Sequence, residues 1–128
     1  MVGLGVASFG HINGVHMQNM DTWETYSEAV GDGRVPLRRA YRPTHEQRMI
    51  RELVLQLKLG RIRPAYFSSK YGVDVLDRYR GELASLKTEG YLASATADEV
   101  SLTREGLLRV DVLLRRFFLP EHAGIRYT

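Results

Sequence analysis

The clearest pattern of apolar and polar positions lies in residues 44–60 and predicts a long amphipathic helix. Its apolar residues recur at helical spacing and form one stripe: Met49, Ile50, Leu53, Val54 and Leu57. Thr44 can cap this helix, with Gln47 at capping-box spacing, and Pro43 keeps the preceding residue extended. Gly60 supplies the left-handed residue that usually ends such a helix. We therefore predict that this helix forms the centre of the core and that neighbouring elements pack on it.

The pattern after this helix predicts a short helix, a longer helix, a small hairpin and a last helix. The segments are residues 64–71, 74–89, 92–103 and the stretch between Thr103 and Pro120. Asp74 and Thr103 are the predicted N-caps. This order is the winged-helix pattern, in which the hairpin is the wing and segment 74–89 takes the place of the recognition helix. The predicted fold class is mainly α with a small β part (α+β), with a winged-helix-like domain in residues 44–128.

The first residues of the chain carry a different pattern, which predicts a lone strand over residues 2–8. Val2, Leu4 and Val6 alternate there with glycine and alanine. Because no neighbouring segment has a strand pattern, we expect this strand to pair with a distant strand, a second copy or a part of the protein outside this chain. Asn13 and Gly14 signal a turn after it.

A second helix and a basic connector complete residues 1–43. The helix is predicted to open at Asp21, with Glu24 at capping-box spacing, and to end at Gly31. The connector, residues 34–43, is predicted to be irregular and is rich in one residue type: Arg34, Arg38, Arg39 and Arg42. The connector is either a solvated loop or a clamp for carboxylates and other anions, since guanidinium groups bind both.

Composition removes several classes of chemistry. The chain has 128 residues, the length of one domain, and an ordinary globular share of 44% hydrophobic and 26% charged residues. It contains no cysteine, which excludes disulfides, thiolate metal sites, iron–sulfur ligation and cysteine nucleophiles and is compatible with the reducing cytoplasm. No apolar run approaches the roughly 20 residues that span a bilayer, so no membrane span is expected.

Spacing alone assigns no reaction to the chain. It contains no phosphate-binding loop and no nucleophile elbow, so no catalytic residue is predicted. His11 and His16 are too sparse to predict a metal site and are interpreted as surface histidines.

Nucleic-acid binding is an alternative raised by the winged-helix pattern. The net charge of +3 mildly favours anionic partners. Segment 74–89, however, is a nearly neutral mixture of acids and bases without asparagine or glutamine, the amides that often read bases. Asp98 and Glu99 in the wing would repel phosphates. Nucleic acid is therefore the less favoured partner.

The segments of the chain follow one another in a distinctive order. The chain begins with a glycine-rich strand and loop, GVASFGHINGVHMQN, followed by the helix DTWETYSEAV, a basic loop and the helix THEQRMIRELVLQLKLGRI. It ends with a strand, a hairpin and a threonine-capped helix in GYLASATADEVSLTREGLLRVDVLL. This order, which covers nearly all of the chain, resembles that of radical S-adenosylmethionine enzymes related to oxygen-independent coproporphyrinogen III oxidase.

This resemblance implies that the chain is the C-terminal part of such an enzyme, in heme or porphyrin biosynthesis. Residues 1–43 would hold the last barrel strand, its loop, a helix and the basic connector, and residues 44–128 the helical domain over the active site. Without cysteine, this part holds no [4Fe–4S] cluster. S-adenosylmethionine, the cluster and the N-terminal barrel would belong to the full-length protein, and the exposed first strand would allow a homodimer.

The resemblance also implies two sets of site residues. Those beside S-adenosylmethionine would be Gly5, Ser8, Phe9 and Ile12, for which a packing role is the alternative. Those facing the propionate carboxylates of a tetrapyrrole would be Arg34, Arg38 and Arg39. The run Phe9-Gly10-His11 differs from that of the oxidases proper. The substrate is therefore open among the oxidases, the heme chaperones and the heme-degrading relatives.

Overall fold

The structure, a computed structural model, describes residues 2–122. Contacts divide the chain into two compact units, Met1–Thr44 and His45–Thr128, which are described separately below. Across the described residues, no helix has the length and apolar character needed to cross a membrane.

The N-terminal unit is built on an antiparallel three-stranded sheet. Its elements are β1 (Phe9–Ile12), β2 (Val15–Asn19), α1 (Trp23–Gly31) and β3 (Leu37–Tyr41), and the strand order is β1-β2-β3. Asn13 and Gly14 join β1 to β2 with φ angles of 49° and 76°. Positive φ at both central residues is the type I′ hairpin turn, for which Asn-Gly is the strongest sequence signal. The turn expected at this dipeptide is confirmed.

The predicted strand over residues 2–8 is wrong, because this segment folds into a compact turn ahead of β1. Gly5 and Ala7 take positive φ angles of 108° and 57°, which an extended strand does not contain. A Cβ at Gly3 would lie 2.3 Å from the carbonyl oxygen of Phe9, so this glycine is required for close backbone approach. The Asn19 side-chain amide donates hydrogen bonds to the carbonyls of Gly3 (3.2 Å) and Gly5 (3.0 Å).

This correction also removes the basis for the expected homodimer. The dimer was expected to form through an unpaired strand edge in residues 2–8, but this segment contains no strand. The chain instead returns along β2, where the Asn19 amide donates to the Ser8 carbonyl (2.9 Å) and the Ala7 amide to the Met20 carbonyl (2.8 Å). The alternation of apolar and small residues predicts a strand with one packed face, but Val2 and Leu4 are exposed.

The basic connector is not irregular, since Leu37–Tyr41 forms β3 and pairs with β2. Helix α1 begins one residue later than predicted, with Thr22 as N-cap; its hydroxyl accepts a hydrogen bond from the Thr25 amide at 3.4 Å. Ala29 is the buried residue of α1, whereas Trp23 and Val30 are exposed.

The C-terminal unit contains the predicted order of helix, short helix, longer helix, hairpin and helix. Its elements are α2 (His45–Lys58), β4 (Arg61–Ile62), α3 (Pro64–Tyr71), α4 (Val75–Arg78), α5 (Arg80–Thr88), β5 (Leu92–Ala95), β6 (Val100–Leu102), α6 (Arg104–Leu108) and α7 (Val110–Leu113), followed by 3-10 turns at Leu114–Phe117 and Pro120–His122. The mixed α+β class is therefore confirmed. Strand β4 was not predicted; it pairs with the hairpin in the order β4-β6-β5.

Local capping explains most of these helix boundaries. The Asp74 carboxylate accepts hydrogen bonds from the amides of Leu76 (3.0 Å) and Asp77 (3.2 Å). The Thr103 hydroxyl accepts one from the Gly106 amide at 3.1 Å. Both predicted N-caps are thus confirmed. The segment predicted as one helix, 74–89, is divided at Tyr79, whose φ and ψ of −108° and 28° leave the helical region.

The core of the C-terminal unit surrounds α2, as its apolar stripe predicts. All five stripe residues are buried: Met49, Ile50, Leu53, Val54 and Leu57. Phe67 from α3, Leu86 from α5 and Val100 from β6 are fully buried in the same cluster. Gly60 ends α2 with a φ of 107°, which confirms that it takes a positive φ. In the last helical segment Leu107 is 40% exposed, whereas Leu113 is buried.

An ion pair joins the 3-10 turn Leu114–Phe117 to the end of α5. The Arg116 guanidinium donates two hydrogen bonds of 2.8 Å to the Glu89 carboxylate, and the Ser85 hydroxyl donates a third at 2.9 Å. These hydrogen bonds lower the pKa of Glu89 from 4.5 to about 2. The ionised form of Glu89 is therefore favoured by the native fold.

Acid should weaken the fold through this carboxylate. A carboxyl whose pKa is lowered on folding contributes stability above its unfolded pKa, and this contribution disappears as the pH falls through its folded pKa. Glu89→Gln should therefore flatten the decline in unfolding free energy between about pH 4.5 and pH 2. Urea unfolding at a series of pH values measures this slope. Glu121→Gln, which removes an exposed carboxylate of the same unit, is the control; equal slopes for both variants would contradict the assignment.

Candidate functional site: the aromatic face of the N-terminal sheet

The register of the N-terminal sheet places two rows of side chains on one face. Phe9 lies opposite Gln18, which lies opposite Arg39; His11 lies opposite His16, which lies opposite Tyr41. Because side chains alternate between the two faces of a strand, these two rows share one face. We call it the aromatic face and define it by Phe9, His11, His16, Gln18, Arg39 and Tyr41.

The aromatic face offers flat, accessible ring surface. The side chains of Phe9 and Tyr41 are 58% and 53% exposed, high values for aromatic residues of a sheet. The His11 and His16 rings stack with centroids 4.5 Å apart and an angle of 8° between their planes. Gln18 carries a buried carbonyl oxygen, Oε1, with no hydrogen-bond partner among the described residues. This combination suits a flat ligand that brings a donor group.

Of the three arginines predicted to meet carboxylates, one is on the aromatic face. Arg34 already pairs with Asp32 at 3.0 Å, and Arg38 pairs with Asp21. Arg38 is the extra residue of a bulge in β3, because the pairing shifts between Gln18 and Asn19. Arg39 forms no ion pair with any residue in the described part of the chain and is exposed. Sequence reasoning did not separate the three, since it predicted no strand here.

The four residues predicted beside S-adenosylmethionine are not brought together in one place. Gly5 lies in the first turn, where its amide donates to the Tyr26 hydroxyl at 3.2 Å and its carbonyl accepts from Asn19. The Ser8 hydroxyl donates to the Leu4 carbonyl at 2.8 Å. Phe9 and Ile12 are exposed but lie on opposite faces of β1, since they are three residues apart. Their role beside the cofactor stays a prediction.

A second polar cluster lies in the C-terminal unit and was missed by sequence reasoning. The Glu52 carboxylate of α2 accepts hydrogen bonds from the hydroxyls of Tyr66 and Tyr71 and, at 2.9 Å, from the Lys70 ammonium. The Lys70 ammonium also lies 5.4 Å from the centroids of both tyrosine rings. We call these four residues the Glu52 cluster. The i, i+4 pair Tyr66 and Lys70 was a signal for it, but Glu52 is 14 residues away in sequence.

The protonation of the Glu52 cluster suits a structural tie between α2 and α3. Burial raises the pKa of Glu52, but hydrogen bonds from Tyr66, Tyr71 and Lys70 outweigh it and leave the pKa below its usual value. Burial and the hydrogen bond to Glu52 raise the pKa of Tyr71 to about 12. Hydrogen bonds with Tyr66 and Glu52 raise the pKa of Lys70. These shifts favour the ionised Glu52 carboxylate, the Lys70 ammonium and the protonated Tyr71 hydroxyl, as a structural tie requires.

Comparison with known proteins finds one informative likeness. No protein-family model matches the chain, and no curated protein matches it. Among solved structures, coproporphyrinogen III oxidase from Escherichia coli, described as a radical SAM enzyme, is similar with a TM-score of 0.80 and 19% sequence identity. The match covers 91% of this chain and 27% of that enzyme. The chain has the fold of the C-terminal region of a coproporphyrinogen III oxidase.

This likeness confirms the resemblance stated from the order of segments. At 19% identity it establishes the fold, and it does so over nearly the whole chain. The chain spans about a quarter of the length of the similar enzyme.

No group of three or more metal-ligating side chains occurs within residues 2–122, and the sequence has no cysteine.

Proposed function

We propose that the chain is the C-terminal part of a cytoplasmic radical S-adenosylmethionine protein that acts on a tetrapyrrole in heme or porphyrin biosynthesis. The observation that carries the proposal is the fold match over 91% of the chain, with the segments in the order that the sequence resemblance indicates. In this proposal the winged-helix-like C-terminal unit covers the active site of the full-length protein.

The cofactors would be held largely outside this chain. With no cysteine, the chain offers no thiolate for a [4Fe–4S] cluster, so the partner is an N-terminal barrel that carries the cluster ligands. S-adenosylmethionine bound to such a cluster supplies the radical. In this chain, Phe9 and Ile12 carry exposed apolar side chains on opposite faces of β1, so only one of the two would face that cofactor. Gly5 and Ser8 would act by shaping the turn, since their polar groups already have partners.

The aromatic face is the proposed contact for the substrate. A tetrapyrrole is flat, apolar in its centre and anionic at its carboxylates, and Phe9, Tyr41 and Arg39 match these three properties on one sheet face. Arg39 is the favoured carboxylate partner because its guanidinium has no ion pair among the described residues. Arg34 and Arg38 would first have to exchange their present aspartate partners.

Nucleic-acid binding is the second candidate, favoured by the order of elements in the C-terminal unit. Two of the three basic side chains at the place of the recognition helix are already paired within the chain. Arg78 pairs with Glu46, and Arg80 pairs with Asp77 at 2.5 Å. On the hairpin, Glu99 faces Arg61 at 3.6 Å. These pairs reduce the positive charge that this segment offers to phosphates, so the tetrapyrrole is the better supported ligand.

Titration of the chain with coproporphyrin III, followed by porphyrin fluorescence, tests the proposed contact. The chain should bind it saturably, and Arg39→Ala should weaken binding by about tenfold or more, the effect of losing one charged hydrogen-bonded contact. Arg34→Ala is the matched control, because Arg34 is exposed and held by Asp32, and it should bind like the wild type.

Two results would contradict this proposal. One is the absence of saturable porphyrin binding, and the other is an equal effect of the two arginine variants. Tight, salt-dependent binding of a duplex oligonucleotide by the wild-type chain would favour the second candidate instead.

A further inference from the structure

Two of the four histidines of the chain are held directly opposite each other by the first hairpin. The type I′ turn at Asn13 and Gly14 fixes the register so that Ile12 pairs with Val15 and His11 with His16. A two-residue turn leaves little freedom to slip, because a shift by one residue would move every side chain to the other face. The pairing of the two imidazoles is therefore built into the hairpin.

The hairpin also brings these side chains as close as a sheet allows. The Asn19 amide donates to the Ser8 carbonyl, so residues 8 and 19 form a hydrogen-bonded pair. Pairs alternate along an antiparallel ladder, which makes His11 and His16 a non-hydrogen-bonded pair, the kind with the shorter side-chain separation. The stacked rings, 4.5 Å apart, agree with this assignment.

Two parallel imidazoles at this separation have the chemistry of a chelating pair. Bonds from imidazole nitrogen to Zn²⁺ are about 2.0–2.1 Å long, so rotation of either ring brings one nitrogen of each within reach of a shared ion. Neutral imidazole is the form that binds a metal ion. Tyr41 lies opposite His16 in the same row.

We propose that His11 and His16 form a binding site for a borderline divalent transition-metal ion of the Zn²⁺, Ni²⁺ and Cu²⁺ class. Imidazole suits these ions, and water fills the coordination positions that the hairpin does not supply. Arg39 lies in the adjoining row of the same face, and its positive charge opposes the binding of a cation. This site does not depend on the proposed function, because it needs only the hairpin.

Sequence spacing did not reveal the site. Two histidines alone are too sparse to predict a metal site, so they were interpreted as surface histidines. The register of the hairpin is the additional observation, since it converts this separation into a direct cross-strand pair.

Calorimetric titration of the tag-free chain with ZnCl₂ tests the proposal. One ion per chain should bind, and His11→Ala and His16→Ala should each weaken the association by at least about tenfold. His45→Ala is the control, because His45 lies in α2 beside Tyr71 and outside the hairpin; it should bind like the wild type. Circular dichroism verifies that each variant is folded.

An exchange variant tests whether binding requires the cross-strand pair or only two histidines in the hairpin. His11→Ile combined with Ile12→His keeps the composition but moves one imidazole to the opposite face of β1, so binding should be lost. Unchanged binding by the exchange variant, unchanged binding by both single variants, or no binding of Zn²⁺ below about 1 mM (a weak affinity on the scale of protein complexes) would overturn the proposal.

Discussion

Replacing Leu53 with alanine should lower the free energy of unfolding by about 2–5 kcal/mol, the usual range for a truncated core leucine. Leu53 lies in the middle of α2 and is 1% exposed. It belongs to the cluster that joins α2 to α3, α5 and β6, so the lost methyl groups would leave a cavity that several elements border. Equilibrium unfolding in urea measures the change.

Leu59→Ala is the matched control for this prediction. Leu59 directly follows α2 and is 86% exposed. Its truncation deletes the same side-chain atoms as Leu53→Ala, but at Leu59 these atoms contact water and not the core. Its effect should stay within about 0.5 kcal/mol. Equal shifts of the urea midpoint by the two variants would show that the buried face of α2 has been misassigned.

Gly106→Ala should destabilise the C-terminal unit by about 1–3 kcal/mol, the range found for overpacked interiors. A Cβ at this position would lie 2.5 Å from the carbonyl oxygen of Tyr91 and 3.4 Å from the Cβ of Leu102. The Tyr91 carbonyl cannot simply move away, because it accepts a hydrogen bond from the Thr103 amide at 2.9 Å. Helix α6 would therefore have to move away from the hairpin.

The control for Gly106 is Gly81→Ala in α5. No atom lies within 4 Å of a Cβ at Gly81, and its φ is not positive. Alanine should stabilise this helix by about 0.5–1 kcal/mol, because it restricts the unfolded chain without a clash. The two substitutions should thus have opposite signs in thermal or urea unfolding. Stabilisation by Gly106→Ala would show that α6 does not pack closely on the loop before β5.

The sequence predicted the C-terminal unit well because local signals determine it. Each of these signals links residues that are close in sequence. They are the apolar stripe of α2, the N-caps Asp74 and Thr103, and the hairpin pattern of residues 92–103. Strand β4 was missed because two residues carry no periodicity and pair with β6 almost 40 residues later.

The N-terminal unit was predicted less well because its structure depends on contacts between distant residues. The alternation of residues 2–8 matches a strand template, yet Asn19 folds this segment into a turn through two hydrogen bonds to glycine carbonyls. The polar strand β3 lacks an apolar face, so its sequence resembles a loop.

The candidate site was also hard to predict, because it depends on contacts between residues that are distant in sequence. The placement of Arg39 on the aromatic face and the pairing of His11 with His16 both depend on the register of three strands. Local sequence patterns do not reveal this register. The resemblance predicted that arginines of the connector meet carboxylates, and this stays a prediction. It could not separate Arg39 from Arg34 and Arg38, because only the folded unit shows the aspartate partners of the latter two.

The central claim, that this chain is the C-terminal part of a radical S-adenosylmethionine protein, is tested most directly by determining the coding sequence upstream of Met1 in its natural gene. We predict a reading frame that continues upstream into a barrel with a three-cysteine cluster motif, in keeping with a match to 27% of the similar enzyme. A stop codon directly upstream, with no adjacent frame that encodes such a barrel, would contradict the claim.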